Sequence, residues 1–201
     1  MKCKCSWCDE EAIHVGCCNR HYQQMNLYGE FKHTRYDKHH FIIKEDYALM
    51  PIYDEQGEVR AEIIIDIEDI ERVKQYKWHM KYNGNTHVEG KINGKVIQLH
   101  RFIMNEINSN ILIDHINRNP LDNRKSNLRK CNRSENNSNR KIHTNNKLGI
   151  KNIDYHQGQY RVSISKNGKQ KCYGHYATLE EAIEVRDKKL KELHGEFASQ
   201  G

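Results

Sequence analysis

The stretch DHINRNPLDNRKSNLRKCNRSENN, residues 114–137, is the most informative part of the chain. An apolar run over residues 111–113 precedes it and predicts a strand that ends at Asp114-His115. Turn residues then predict a loop, and a second short strand is expected at Asn127-Leu128. Ser134 would begin a helix. The stretch therefore predicts a β-β-α unit, which would bring distant polar side chains together.

Three polar residues of this unit have the chemistry of a catalytic site. Asp114 offers a carboxylate oxygen and Asn136 a carboxamide oxygen, and such hard donors suit Mg²⁺ or Mn²⁺. The imidazole of His115 can take a proton from water near neutral pH, because its ordinary pKa is about 6.5. A divalent ion would stabilise the charge that develops on a phosphate. These residues predict metal-dependent hydrolysis of a phosphodiester.

Charge is distributed unevenly along the chain, although the net charge is only +6. Residues 45–72 hold ten acidic and two basic residues, whereas residues 114–147 hold nine basic and three acidic residues. Basic runs are often solvated, disordered linkers, but apolar residues interrupt this one at intervals that favour an ordered basic site. A polyanion is the expected partner. The side chains expected to grip a phosphate backbone are Arg118, Arg124, Lys125, Arg129, Lys130 and Arg133.

Residues 1–25 hold five of the seven cysteines, which predicts a metal site. Cys18 and His21 lie three residues apart, so a helix that begins beside them would present both from one face. Two thiolates further upstream would complete a tetrahedral structural zinc site, whose binding energy would fold a segment with few apolar residues. The alternative is a flexible tail of reduced cysteines. The predicted ligands are Cys5, Cys8, Cys18 and His21, with Cys3 or Cys17 as alternates.

The composition excludes several classes of protein. With 36% hydrophobic and 30% charged residues, no stretch approaches the roughly 20 apolar residues of a membrane span. No apolar run follows the basic start Met1–Cys5, so no secretory signal is expected and the chain is predicted to be cytoplasmic. Cysteines in that compartment stay mostly reduced, which favours metal ligation over disulfides. The 201 residues leave room for one medium domain or two to three small ones.

Residues 160–176 predict a β-hairpin, because two strand-like runs flank the turn signal Asn167-Gly168. In the expected register Val162 pairs with Tyr173. Arg161 would then lie on the opposite face from Val162, together with the other polar residues of the strand.

A helix is expected directly after the hairpin. Thr178 and Glu181 have the spacing of a capping box, and apolar residues follow at helical intervals, so the helix should pack beneath the sheet. Residues 151–175 carry five bases and one acid, whereas residues 178–198 carry six acids and four bases. The sheet is therefore the side suited to the major groove of duplex DNA.

The stretch 114–137 resembles the HNH endonuclease family. An aspartate-histidine pair is followed by an asparagine twelve residues after the histidine and by another nine residues later. This is the spacing of the His-Asn-Asn members, many of which are homing endonucleases. Two upstream segments also look like those that precede the motif in phage and mobile-element members, namely Tyr76-Lys77-Trp78 and Leu99-His100-Arg101-Phe102.

This resemblance implies a role for each residue of the motif. Asp114 and Asn136 would bind the divalent metal, His115 would be the general base, and Asn127 would fix the loop between the strands. A site-recognising, homing-type DNA endonuclease that nicks one strand per monomer is the predicted function. The alternative is a catalytically inactive DNA-binding regulator that keeps the nuclease fold. An RNA-binding zinc protein is a third and weaker hypothesis, because no aromatic stacking platform is evident.

The carboxy-terminal block resembles the Apetala-two-type DNA-binding domain. The segments that carry the likeness are Gly149-Ile150, Tyr160–Ile164, Tyr173–Tyr176 and Leu193–Ala198. The family's usual tryptophan and several arginines are absent, so no target sequence can be carried over. By this likeness the residues that face the groove are Arg161, Ser163, Ser165, Gln170 and Cys172.

Together these patterns predict an α+β chain of three small parts. A zinc-knuckle segment is expected over residues 1–30 and a ββα-metal nuclease core over residues 40–142. A three-stranded sheet packed on one helix is expected over residues 148–201, after a polar linker. Double-stranded DNA is the expected partner, and the chain should act as a monomer, with a dimer as the alternative.

Overall fold

The structure, a computed structural model, describes residues 1–83, 85–139, 146 and 148–197. Helices and sheets alternate along these residues, which confirms the expected α+β class. The predicted linker lies outside the described residues, apart from Asn146. In the described part of the chain, no helix has the length and apolar character that crossing a membrane requires.

The chain divides into two compact units. The first consists of Met1–Ile107 and Asn119–Leu128, and the second of Asn108–Arg118 and Arg129–Gly201. The segment predicted as the nuclease core, residues 40–142, therefore contributes to both units.

The first unit contains two three-stranded antiparallel sheets, with strand orders β1-β2-β3 and β4-β5-β6. One helix precedes the first sheet, and a short helix follows each sheet. Its elements are α1 (Asn19–Tyr28), β1 (Ile42–Ile43), β2 (Ala48–Tyr53), β3 (Val59–Ile65), α2 (Ile70–Val73), β4 (Trp78–Asn83), β5 (Asn85–Ile92), β6 (Lys95–Gln98) and α3 (Leu99–Ile103).

Trp78 lies in the core of the first unit with only 1% of its surface exposed. Its indole N–H donates to the Val73 carbonyl at 2.9 Å, and its ring lies 5.3 Å from that of Phe102. A Cβ at Gly90 would come within 2.9 Å of the indole, so β5 needs glycine where the ring crosses it. Trp78 and Phe102, from the two segments that precede the motif, therefore pack in the core of this unit.

The second unit begins with a small sheet and a helix in the order predicted for residues 114–137. The helix starts at Arg133 rather than Ser134, because Asn132 and Glu135 form a capping box. The Glu135 N–H donates to Asn132 Oδ1 at 3.0 Å, and the Asn132 N–H donates to Glu135 Oε2 at 2.7 Å. These elements are β7 (Leu112–His115), β8 (Leu128–Cys131) and α4 (Arg133–Ser138).

The rest of the second unit is a three-stranded sheet of order β11-β10-β9 that packs on one helix, as predicted. The capping box of Thr178 and Glu181 is confirmed at the start of that helix. A 3₁₀ turn, Gly195–Phe197, follows it. The four elements are β9 (Ile153–His156), β10 (Gln159–Lys166), β11 (Lys169–Tyr176) and α5 (Leu179–His194).

The predicted pairing of Val162 with Tyr173 is wrong by one residue. Val162 pairs with Gly174 and Ser163 with Cys172, so Tyr173 is the extra residue of a β-bulge. The turn at Asn167-Gly168 fixes the register only as far as Ser163, and the bulge changes it beyond that point.

Candidate functional site

Asp114 lies near the end of β7, and its carboxylate is buried. Arg129 donates to its Oδ2 from Nε at 3.0 Å and from Nη2 at 2.9 Å. The ring of Phe197 lies 4.1 Å from the Arg129 guanidinium carbon, a cation–π distance. A buried ion pair therefore holds the predicted metal ligand in place.

An asparagine also contacts Asp114, but it is Asn139. Its amide nitrogen lies 3.1 and 3.0 Å from the two carboxylate oxygens and 3.0 Å from the His115 carbonyl. Asn136 lies half-buried one turn earlier, and its carbonyl accepts the backbone N–H of Asn139 at 3.2 Å. No described contact joins the Asn136 side chain to Asp114. Metal binding by Asn136 stays a prediction.

His115 is the last residue of β7 and is half-buried. Its carbonyl accepts the Arg118 N–H at 2.9 Å, and Arg118 adopts a left-handed backbone with φ of +62°. The chain thus turns sharply after His115. The turn and the Asn139 side chain fix the backbone that carries the imidazole.

The carboxylate oxygens of Asp114 are ligands that suit a hard divalent cation. Among the described contacts, Asp114 Oδ1 accepts one hydrogen bond, from Asn139, and a carboxylate oxygen can accept two. A cation could use the remaining lone pair, although the guanidinium of Arg129 would weaken its binding.

Asn127 lies in the first unit, where it is buried in the loop after Asp122. Its side-chain amide donates to the Asp122 carbonyl at 2.8 Å. Ile64 of β3 holds the same loop, donating to the Leu121 carbonyl and accepting from the Asn123 N–H, both at 2.8 Å. The loop-fixing role that the HNH resemblance implies for Asn127 stays a prediction.

The basic residues predicted to grip DNA fall into two groups. Arg124 forms two 2.8 Å hydrogen bonds with Asp122, which raise the pKa of its guanidinium. Lys125 pairs with Asp69 at 2.9 Å and also with Glu68. These two cations, like Arg129, have carboxylate partners within the protein. The exposed members are Lys125, Lys130 and Arg133, whereas Arg118, Arg124 and Arg129 are half-buried.

The sheet predicted to face the groove is only partly accessible. Ser165, Gln170 and Cys172 are exposed. Arg161 pairs with Asp154 across β10 and β9 at 2.8 Å. Ser163 is only 9% exposed. The accessible part of the predicted surface is therefore the end of the hairpin, where Ser165, Gln170 and Cys172 lie.

The amino-terminal cysteines form a second candidate site. The ligand atoms of Cys3, Cys8, Cys18 and His21 lie within 4.8 Å of one another, and the set could hold a metal ion. Cys8 and Cys18 Sγ are 3.9 Å apart, and His21 Nδ1 lies 3.4 Å from Cys3 Sγ and 3.2 Å from Cys18 Sγ. Burial raises the pKa of Cys8 to about 11, so a cation would be needed to hold its thiolate.

The cluster contains Cys3, an alternate in the sequence-based prediction, instead of Cys5. The Cys3 N–H donates to the Glu10 carbonyl at 3.0 Å, and the Cys18 N–H donates to Cys3 Sγ at 3.3 Å. Cys5 is buried beside the cluster with its carbonyl accepting the Cys8 N–H, and burial raises the pKa of its thiol. Cys18 is retained over Cys17, as predicted.

Sequence reasoning missed Asn139 and the use of Arg129 as a partner of Asp114. Asn139 follows Asn136 by three residues, and helical periodicity could have placed both on one face. No local pattern pairs Arg129 with a carboxylate fifteen residues earlier.

Comparison with known proteins identifies a relative. Over 134 residues the chain is 34% identical to an uncharacterized HNH endonuclease of Acanthamoeba polyphaga mimivirus. The alignment covers 63% of this chain and 67% of the relative. No family model matches the chain, and no solved structure does. At this identity and coverage, the chain belongs to the HNH endonuclease family.

Proposed function

We propose that the protein is a homing-type DNA endonuclease that hydrolyses a phosphodiester bond with one divalent metal and His115 as general base. The observation that carries this proposal is the fixed end of β7, where a buried carboxylate and an imidazole are adjacent on one strand held by Asn139. The HNH relative supports the endonuclease part of it, because its name describes it as an HNH endonuclease.

The catalytic residues would divide the work. Asp114 and Asn136 would hold Mg²⁺ or Mn²⁺, and the ion supplies charge stabilisation at the phosphate. His115 would take a proton from a water, whose oxygen bonds to phosphorus as the P–O bond to the leaving sugar oxygen breaks, and that oxygen takes up a proton from solvent. Asn127 keeps the preceding loop in shape through Asp122. One such site per chain predicts a nick in one strand.

DNA binding would come from two surfaces. Lys130 and Arg133 are exposed beside the motif and would contact the backbone, with Arg118. The end of the β10–β11 hairpin, with Ser165, Gln170 and Cys172, would enter the major groove in the manner of an Apetala-two-type domain. Duplex DNA is the substrate that both surfaces favour.

We also propose Zn²⁺ as the ion of the amino-terminal cluster, in a structural role. Tetrahedral zinc with bonds of about 2.3 Å to sulfur and 2.0 Å to nitrogen separates its ligands by about 3.8 Å and 3.5 Å. The distances of 3.9, 3.4 and 3.2 Å in the cluster agree with this geometry. Three thiols and an imidazole select zinc over magnesium.

Supercoiled plasmid carrying the target site tests the nuclease proposal. Wild type should nick it with Mg²⁺ and not with EDTA, and His115→Ala should bind the DNA but not nick it. His156→Ala, which removes an exposed histidine of β9, should retain nicking once the DNA is saturated with protein. If His115→Ala nicked the plasmid as His156→Ala does, the role of His115 would be contradicted.

The alternative function, an inactive DNA-binding regulator, is favoured by one observation. Arg129 neutralises the carboxylate that would hold the metal. Wild type that binds its site with high affinity but never nicks it, with either metal, would establish this alternative.

A further inference from the structure

The two ring nitrogens of His21 face different groups. Nδ1 faces the thiols of Cys3 and Cys18. Nε2 is buried without a hydrogen-bond partner among the described residues and lies 3.9 Å from Asp37 Oδ1. An imidazole that binds a metal through Nδ1 carries its proton on Nε2. A buried N–H there needs an acceptor.

Asp37 is itself a buried and well-anchored carboxylate, with 4% of its surface exposed. Its Oδ2 accepts the backbone N–H of Thr34 at 2.9 Å and the Thr34 hydroxyl at 3.0 Å. Its Oδ1 accepts from Arg20 at 2.7 Å. Arg20 precedes His21 on α1, so two successive helix residues face the same carboxylate.

We propose that Asp37 is the outer-sphere partner of the amino-terminal zinc site, accepting the Nε2–H of metal-bound His21. Outer-sphere carboxylates fix the orientation of a metal-binding histidine and make it a stronger ligand. The 3.9 Å between Nε2 and Oδ1 is longer than a hydrogen bond. In the proposed zinc-bound state the ring moves close enough to Asp37 to form that bond. This inference rests on the proposed zinc ion, which holds Nδ1 in place.

The same residue extends the zinc site into the body of the first unit. The Asp37 carbonyl accepts from the Lys77 ammonium, at the residue before β4. Two residues after Asp37, His39 Nε2 accepts the Trp78 N–H at 2.9 Å. Zinc therefore fixes the segment 34–39 against β4, and its removal loosens a region outside the cysteine cluster.

Zinc affinity of the full chain, measured by competition with a chromophoric chelator, tests the proposal. Asp37→Asn should weaken zinc binding about 10- to 100-fold, the cost of losing an outer-sphere partner. Asp9→Asn is the matched control, because it removes an exposed carboxylate of the same segment that pairs only with Lys2 and Lys38 in the described contacts. Equal affinities of the two variants would overturn the proposal.

Repeating Asp37→Asn in a His21→Cys protein distinguishes loss of the hydrogen bond to His21 from loss of the negative charge near the metal. His21→Cys keeps four ligands but has no second nitrogen, so Asp37→Asn should change its zinc affinity less than about threefold. A loss as large as in the wild-type background would overturn the role of Asp37.

Wild-type protein gives an independent test that does not depend on the folding of a variant. In the zinc-loaded chain, ¹⁵N NMR should show His21 bound through Nδ1, with an Nε2 proton that exchanges slowly with water. Binding through Nε2, or a rapidly exchanging proton, would overturn the proposal. A wild-type chain that binds neither zinc nor cobalt would overturn the zinc site itself, while the nicking experiment would stand unaffected.

Discussion

At the residue scale, Asn136 and Asn139 have different relations to Asp114. Asn136 has the spacing that the family resemblance assigns to a metal ligand, whereas Asn139 is the residue whose amide contacts the carboxylate. A ligand contributes directly to metal binding, whereas a neighbour of the ligand acts through its position. The two residues should therefore respond differently to the same substitution.

We predict that Asn139→Ala weakens Mn²⁺ binding and nicking about 10- to 100-fold, and that Asn136→Ala costs more. Isothermal titration with Mn²⁺ and plasmid nicking measure the two effects. Asn110→Ala, at an exposed position before β7, is the control and should match wild type. If Asn139→Ala had no effect while Asn136→Ala abolished binding, the contact with Asp114 would be irrelevant to the metal.

His39 makes the first unit sensitive to acid. Burial, followed by the charge of Lys77, lowers the pKa of His39 to about 4 in the folded chain, against about 6.5 when unfolded. The unfolded chain therefore binds the extra proton first as pH falls. The contribution of neutral His39 to the free energy of unfolding is complete above about pH 6.5 and is lost by about pH 4. It amounts to about 3 kcal/mol.

We expect the free energy of unfolding to fall over this pH range in wild type and less steeply in His39→Gln. The glutamine oxygen can still accept the Trp78 N–H, but the side chain does not titrate. Both tryptophans, Trp7 and Trp78, lie in the first unit, so their fluorescence during urea unfolding reports on it. Identical pH profiles would show that His39 is not the group responsible.

At the element scale, α5 supports the carboxy-terminal sheet and depends on its capping box. The Glu181 N–H donates to the Thr178 hydroxyl, and the Thr178 N–H donates to the Glu181 carboxylate, both at 3.3 Å. The apolar face of α5, with Ala182 and Leu190, then covers Val162 of β10. Loss of the cap should therefore fray the helix under the sheet.

Thr178→Ala should destabilise the start of α5 by about 1 kcal/mol, because it leaves an amide of the first turn without its acceptor. Hydrogen exchange of the first α5 amides should accelerate accordingly, whereas amides of α1 in the other unit should not change. Glu180→Ala, exposed in the same turn but outside the capping box, is the control. Equal acceleration in both variants would mean that the box adds nothing to local helix stability.

At the scale of the whole molecule, the uneven charge governs how the protein meets DNA. The acidic residues of 45–72 include the partners of Lys125, namely Glu68 and Asp69, so part of the basic run is neutralised internally. Lys130 is exposed. The charge of Lys125 is thus balanced by two carboxylates of the protein itself.

We predict that duplex affinity falls steeply with salt, and that Lys130→Ala lowers the slope of log affinity against log salt by about 0.9, the loss of one phosphate contact. Lys125→Ala should leave the slope unchanged. Fluorescence anisotropy in EDTA measures binding without cleavage. A change in slope for Lys125→Ala and none for Lys130→Ala would reverse the proposed assignment of the two lysines.

Local patterns predicted much of the fold. The hairpin at Asn167-Gly168, the Thr178 capping box and the order of elements over residues 114–137 depend on neighbours within a few positions, and each is present. The exact pairing of Val162 was wrong because a bulge changes the register without leaving a mark in the turn. The roles of His115 and Asn136 stay predictions, because they need a metal and a substrate.

The sequence by itself determined which kinds of chemistry the protein has: thiols beside a histidine, and a carboxylate and an imidazole followed by spaced asparagines. The tertiary structure alone decided which members of each set meet, namely Cys3 instead of Cys5, and Asn139 with Arg129 at Asp114. The reason is physical. Residue type and short spacing follow from the chain, but contacts across fifteen or more residues depend on how the intervening backbone turns and packs.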